Sequence, residues 1–476
     1  LTRLLSMRSA IVGGAAALLA GCATGPDYHA PTLAALKVPE QFATGARETS
    51  ADADLARWWR AFDDPILTAL VERGLAANLD IDEAGSRVRA ARADLRAARG
   101  ALLPSLDAFG SGTRQVGERT SGQTSGRASY QTGFDAAYET DIFGGGRRSV
   151  EAARATAEGT RANLRAVQLT VAAEIALNYL DAREAQARLR IARDTLSSLD
   201  ETVEITGWRL KAGLVGSLDL EQARQLRAQT AASVPAIETT YAGAANRLAV
   251  LLGEAPGAVN GLLEPAAEPP AAPVVQPAAI PADVVRRRPD VALAERTLAA
   301  ETARIGVQTA QLYPALVLSG TFSGSGGSLS TAAGDMAGSL VGGITAPIFH
   351  GGQIRAAVEA QRASAASALA AYRSSVLTAL EEAENALVSV SSADRREQAL
   401  VAAEAAARNA VDIARVQYRS GRTDFQSLLE SERTLLSSQD SLASARVARA
   451  AAAVQLYKAL GGGWQAAPAP SSVAAP

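Results

Sequence analysis

The sequence predicts an α+β membrane protein: long helical hairpins of coiled-coil character carry short β-strands, and the whole plan is written twice in one chain. Three observations predict it. Two nearly proline-free stretches are too long for a compact domain, two segments replace the helical period by alternation, and a set of landmarks recurs at one spacing.

Composition first removes several classes of function. The net charge of −2 gives no electrostatic argument for a nucleic-acid partner. Two histidines, His29 and His350, and a single cysteine cannot build a metal site of the usual type or the common catalytic triads. Adjacent carboxylates such as Asp63-Asp64 and Glu381-Glu382 point apart on a helix and suggest no glycosidase cleft. An enzyme is therefore not expected, and neither is a metal or a cofactor. Beyond the leader no apolar run approaches the length of a transmembrane helix.

The leader itself is informative. Arg3 and Arg8 precede the short apolar run Ala10 to Gly21, which reads as a signal peptide over residues 1–21. Leu18-Leu19-Ala20-Gly21-Cys22 resembles a bacterial lipobox, in which the cysteine is lipidated and becomes the mature N-terminus. A covalent lipid on Cys22 is thus the only prosthetic group expected, and residues 22–60 read as a lipid-anchored N-terminal segment. Ala23, where an Asp would suggest retention in the inner membrane, points to the outer membrane.

Two repeats follow, residues 61–263 and 282–464, joined by a proline-rich linker over 264–281 and followed by a flexible tail over 465–476. Asp80 and Pro104 answer Asp290 and Pro314, Ile142-Phe143 answers Ile348-Phe349, and Gly253 answers Gly461, all about 208 residues apart. Each repeat opens with a helix. Ile81, Ala84, Val88, Ala91, Leu95, Ala98 and Leu102 step by three and four as an apolar seam. In the second copy Glu301 and Gln308 interrupt that seam. Asp80, with Glu83 in capping-box spacing, and Asp290 are the expected N-caps. The arginine run Arg286 to Arg288 reads as solvated charge ahead of the second helix.

Two strands are expected within 105–143 and two within 315–349. Tyr130, Thr132, Phe134, Ala136, Tyr138, Thr140 and Ile142 alternate with Gln131, Gly133, Asp135, Glu139 and Asp141, as suits a strand between lipid and a water-filled lumen. Four strands cannot close a membrane barrel. Either they pair outside the membrane, or several chains pool them. Long helical hairpins then follow, over 147–252 and 353–460, each turning at glycines: Gly213 and Gly216 in "KAGLVGS", Gly421 in "RSGRT". Pro235 should kink or split the first return helix.

Six stretches, "WWRAFDDPILTALVERG", "YETDIFGGGRRSVEAARA", "LLGEAPG", "RRRPDVALAERTLAAETARIG", "PIFHGGQIRAA" and "LYKALGGGW", occur in the order found in the outer-membrane factor family. The chain resembles the TolC-like, NodT-type lipoproteins of tripartite efflux pumps from about Tyr28 to Trp464. That resemblance implies a homotrimer with one shared β-barrel in the outer-membrane lipid and a helical tunnel in the periplasm. It further implies a periplasmic adaptor docking on the hairpin tips, with Gly213, Gly216 and Gly421 as contact positions, and an inner-membrane transporter, commonly of the resistance-nodulation-division type. The closed constriction in such channels lies at the tips. Here the second tip offers Tyr418, Arg422, Asp424 and Glu430, with Asp424 the expected acidic ring. A lipid-anchored coiled-coil tether without a pore is the alternative. It has no need of the strand alternation.

Overall fold

The computed structural model describes residues 24–43, 55–118, 124–273 and 281–463. The signal peptide, Cys22, residues 274–280 of the linker and the tail lie outside the described residues. Seven helices of thirteen or more residues and four strands carry the fold: α1 Pro65–Ala77, α2 Leu79–Gly100, β1 Ser105–Glu118, β2 Thr124–Thr140, α3 Gly145–Lys211, α4 Ser217–Leu251, α5 Pro289–Ala310, β3 Ala315–Gly326, β4 Met336–Thr345, α6 Gln353–Arg419 and α7 Phe425–Ala459. The repeat is exact in helix length, since α3 and α6 each have 67 residues and α4 and α7 each have 35. At 1.5 Å per residue α3 and α6 each run about 100 Å.

Two compact units divide the chain, and neither is a repeat. One takes Leu1–Thr32, Arg87–Arg161 and Leu293–Ser374; the other takes Leu33–Ser86, Ala162–Ala292 and Ser375–Pro476. Both halves of the sequence contribute to both units, because strands from the two halves pair in one sheet and helices from the two halves share one core.

The first unit holds the antiparallel sheet, in the order β1-β2-β3-β4. The strands are unequal, with 14, 17, 12 and 10 residues. Against the sheet's base lies the N-terminal segment. Thr24 donates its amide and its hydroxyl to the Phe143 carbonyl, both at 3.0 Å. Gly25, at φ +90°, sits so close to the Gly306 backbone that a Cβ would meet it at 2.4 Å. Arg148, buried, reaches Asp27 at 2.6 Å, Glu151 at 2.7 Å and the Thr24 carbonyl at 3.2 Å. Glu301, a break in the apolar seam, has its own use, accepting from Gln361 of α6 at 2.6 Å.

In the second unit the core gathers Trp58, Trp59, Leu67, Leu70, Ile175, Tyr179, Leu248 and Tyr457. Burying each aliphatic side chain contributes about 1.5–3 kcal/mol. Trp58 stacks on Tyr457 with centroids 5.6 Å apart, tying the segment before α1 to the last helix. Arg183 is wholly buried among these residues. It donates to the Tyr179 hydroxyl at 3.1 Å and to the Pro265 carbonyl at 2.8 Å, while Tyr179 donates to Asp64 at 2.6 Å. The start of the proline-rich linker is thereby clasped to α3.

Four local expectations are corrected. The N-cap of α2 is Asn78, which accepts from the amides of Asp80 and Ile81 at 2.9 and 3.1 Å, so Asp80 sits inside the first turn. Asp290 likewise lies within α5 and pairs with Arg288. Arg288 is not solvated: it is buried, bidentate to Asp290 at 2.6 and 3.0 Å, and bound to Glu382 at 2.7 Å and to the Ala459 carbonyl at 3.2 Å. Pro235 does not split α4, which runs unbroken from Ser217 to Leu251. The proline is exposed, so the carbonyl it leaves without an amide can be met by water.

Candidate functional site

Two regions carry the chemistry. The first is the sheet, whose register sorts side chains by face. Residues directly opposite in an antiparallel pair share a face, so the row Leu106, Ala136, Gly320, Leu340 lies on one side, together with Phe134, Leu318, Phe322 and Ile344. The opposite side carries the row Asp107, Asp135, Thr321, Ser339, with Gln131, Ser319 and Ser323. The first side carries most of the large apolar side chains and the second most of the polar ones, with Arg114 on the first and Phe109, Val317 and Val341 on the second. Within a single chain the apolar face stays uncovered: Leu106 is 71% exposed, Leu340 83% and Ile344 74%. Among the described residues no strand lies beside the outer edges of β1 and β4.

The second region is the pair of hairpin turns. α3 and α6 end alike, in Schellman motifs. Leu214 donates to the Arg209 carbonyl at 2.9 Å and Arg422 to that of Gln417 at 2.8 Å, with Gly213 and Gly421 both at φ +72°. Open space surrounds both glycines, so the backbone angle alone demands them. Gly216 has an ordinary φ of −84° as N-cap of α4.

Behind the turns, α3, α6 and α7 are locked by polar groups. Arg209 donates to the Tyr418 carbonyl at 2.6 Å, with its guanidinium 4.4 Å over the Tyr418 ring. That ring also meets Phe425, centroids 5.7 Å apart. Glu432, buried on α7, accepts from Thr202 of α3 at 3.2 Å and from Arg415 of α6 at 3.3 Å, and Arg415 also donates to Ser198. Burial pushes the Glu432 carboxyl above its usual range, against the pull of Arg415. A cavity of about 20 Å³, room for about one water, lies beside Ser198, Thr202, Arg415, Tyr418 and Leu428. Glu432 Oε2, the Tyr418 hydroxyl and Arg209 Nε are buried without a hydrogen-bond partner among the described residues. Leaving such groups buried without a partner is costly.

The four expected gate residues therefore separate. Tyr418 is 3% exposed and belongs to the core of its own chain. Asp424 is exposed and caps α7, accepting from the Ser427 amide at 2.8 Å; hydrogen bonds from Ser427 hold its carboxyl below the ordinary range. Asp424 and Glu430 share an open groove with Ala407, Ala410 and Thr434, and Arg422 is exposed on the turn. The Glu432 lock is absent from the sequence expectations, although its signal was available: Phe425, Leu428, Leu429 and Glu432 place a carboxylate on an apolar helical stripe.

Comparison with known proteins converges on the same reading. The family model described as outer membrane efflux protein matches residues 70–254 and 280–462, one match per repeat. Nodulation protein T of Rhizobium leguminosarum bv. viciae is 35% identical over 458 residues, 94% of this chain and 92% of that protein. The pyoverdine export outer membrane protein OpmQ of Pseudomonas aeruginosa is 32% identical over 469 residues, covering 97% and 98%. Among solved structures the outer-membrane channel OprN superposes with a TM-score of 0.85 at 35% identity, covering 93% of this chain and 100% of that one. With both repeats matched and relatives alike over nearly their whole length, the chain belongs to the outer membrane efflux protein family.

Proposed function

We propose that the protein is the outer-membrane channel of a tripartite efflux system, a homotrimer that conducts substrates passively from a periplasmic adaptor and an inner-membrane transporter, of the resistance-nodulation-division type, to the outside. The observation that carries this reading is the sheet. A four-stranded sheet with one bare apolar face and two open edges cannot rest in hydrocarbon alone, and three copies would supply twelve strands and close every edge. The polar row of Asp107, Asp135, Thr321 and Ser339 would then line water.

Lipid on Cys22 fits the same frame. Thr24, two residues on, is pinned to Phe143 at the foot of β2, which would hold the acyl chains at the rim of the barrel. The hairpin tips would carry the closed constriction and receive the adaptor, with Gly213, Gly216 and Gly421 allowing close approach. Tyr418 would act from within its own chain by fixing α6 to α3, leaving Asp424, Arg422 and Glu430 to face neighbours. Conduction needs no catalytic residue and no cofactor.

Planar-bilayer recording on detergent-purified protein tests this. SDS-resistant trimers that give discrete single-channel currents are expected; a protein of the same fold that stays monomeric and silent would be a tether instead. Within that test, an Asp424→Ala trimer with unchanged closed-state conductance would remove Asp424 from the constriction.

A further inference from the structure

The internal repeat says how one chain meets the next. At the foot of the sheet, Phe143, just after β2, stacks on Tyr313, just before β3, with ring centroids 4.6 Å apart and planes 17° from parallel. The same contact is written a second time in the sequence, as Phe349 after β4 and Leu103 before β1. In the single chain neither has its mate: Phe349 is 87% exposed, Ile348 beside it 91%, and Leu103 67%. β4 and β1 are also the two strands with a free edge.

We infer that β4 of one chain pairs with β1 of a second copy in a defined register, Ile344 opposite Ala108 and Leu340 opposite Gly112, with Phe349 packed on Leu103 of that copy. The inference rests on the trimeric reading and adds to it the residues of the seam. The register comes from carrying Tyr138↔Leu318 and Phe134↔Phe322 of the β2–β3 pair onto the outer strands, using Ile142/Ile348 and Pro314/Pro104 as equivalent points.

Two independent considerations support it. Face parity is one: Ile344 and Leu340 lie on the apolar face, and so do Ala108 and Gly112, by their pairing with Phe134 and Tyr130. A slip of one residue would turn Met336, Leu340 and Ile344 of β4 into the lumen. Barrel geometry is the other. A row followed across the sheet runs Leu106, Ala136, Gly320, Leu340 and, across the seam, reaches Gly112, six positions along β1 from its start. Three chains then stagger by roughly 18 residues over twelve strands, a tilt of about 47° with a rise of ~3.4 Å and a spacing of ~4.8 Å. Carrying over the helix spacing instead would set Ile344 opposite Gly110 and raise the tilt to about 55°. Membrane strands tilt by about 35–45°, which favours the first register.

Cysteine pairs read the register directly. The full-length protein, purified as its detergent-extracted assembly, would carry Ile344→Cys with one of Leu106→Cys, Ala108→Cys or Gly110→Cys, and be oxidised and run without reductant. Cross-linked dimers and trimers are expected to form several-fold faster with Ala108→Cys than with either alternative, because directly opposed Cβ atoms lie within about 5.5 Å and diagonal ones at about 7–8 Å. Phe349→Cys with Leu103→Cys is expected to cross-link as well. Fastest bonding at Leu106 or Gly110 would overturn the register while leaving the trimer in place. Sizing of the unsubstituted protein as a monomer would overturn the trimer itself.

Discussion

The two hairpin tips share a backbone and differ in chemistry. Both leave a 67-residue helix through the same Schellman turn and return through 35 residues. Yet the second tip carries Tyr418, Asp424 and Glu432 where the first, one repeat earlier, has Leu210, Gly216 and Arg224. Duplication kept the geometry that forms a turn. The polar lock behind it, Glu432 with Thr202 of α3 and Arg415 of α6, stands in one copy only, at the second tip.

Substitutions can break that comparison, beginning with the largest effect. Tyr418→Ala removes a buried ring from the core of the second tip and is expected to cost about 3–5 kcal/mol of local stability. Leu210→Ala, at its half-buried counterpart, should cost clearly less; hydrogen exchange across both turns would separate them. Gly213→Ala and Gly421→Ala place a Cβ at φ +72°, and each should cost about 1–2 kcal/mol, equally in the two tips, by the same measurement. Asp424→Ala removes the cap bond to Ser427 and should cost about 1 kcal/mol, whereas Asp424→Gly, which gives the second tip the capping residue of the first, should cost only a few tenths.

Glu432 gives a pH dependence to one tip only. Its folded carboxyl is raised above the unfolded value, so the folded state binds the proton more tightly. Its contribution is most favourable below the unfolded pKa of about 4.3 and is lost as pH rises through the folded value. Arg415 faces it from α6 and Thr202 from α3, with Ser198 behind Arg415. Glu432→Gln keeps an acceptor for both donors. The variant's second tip is expected to exchange more slowly than the native one at neutral pH and equally at pH 4. A native tip whose exchange, corrected for intrinsic rate, showed no such pH trend would remove Glu432 from the lock.

Much of this architecture is legible in the residues. Gly146, Gly213, Gly352 and Gly421 bound the long helices to within a residue or two, because little between them can stop a helix. The alternation from Tyr130 to Thr140 is the observed strand. What stays hidden depends on distant partners. Asn78 and Asp80 are both good caps in sequence, and only the end of α1 at Ala77 decides for Asn78. Arg288 looks like its two neighbours until Glu382 and the Ala459 carbonyl are brought beside it. The tip was the hardest part: Tyr418 reads as a gate residue in a polar turn, and its burial follows from Arg209, about two hundred residues earlier, and from Phe425 across the turn.

The central claim is that one face of the sheet meets hydrocarbon and the other meets water. Spin labels placed singly from Ala337 to Ile344 in lipid vesicles test it most directly, by their collision with dissolved oxygen and with a water-soluble nickel chelate. Oxygen collisions are expected to peak at 338, 340, 342 and 344, and nickel collisions at 337, 339, 341 and 343. Uniform access of nickel to both sets would contradict the account.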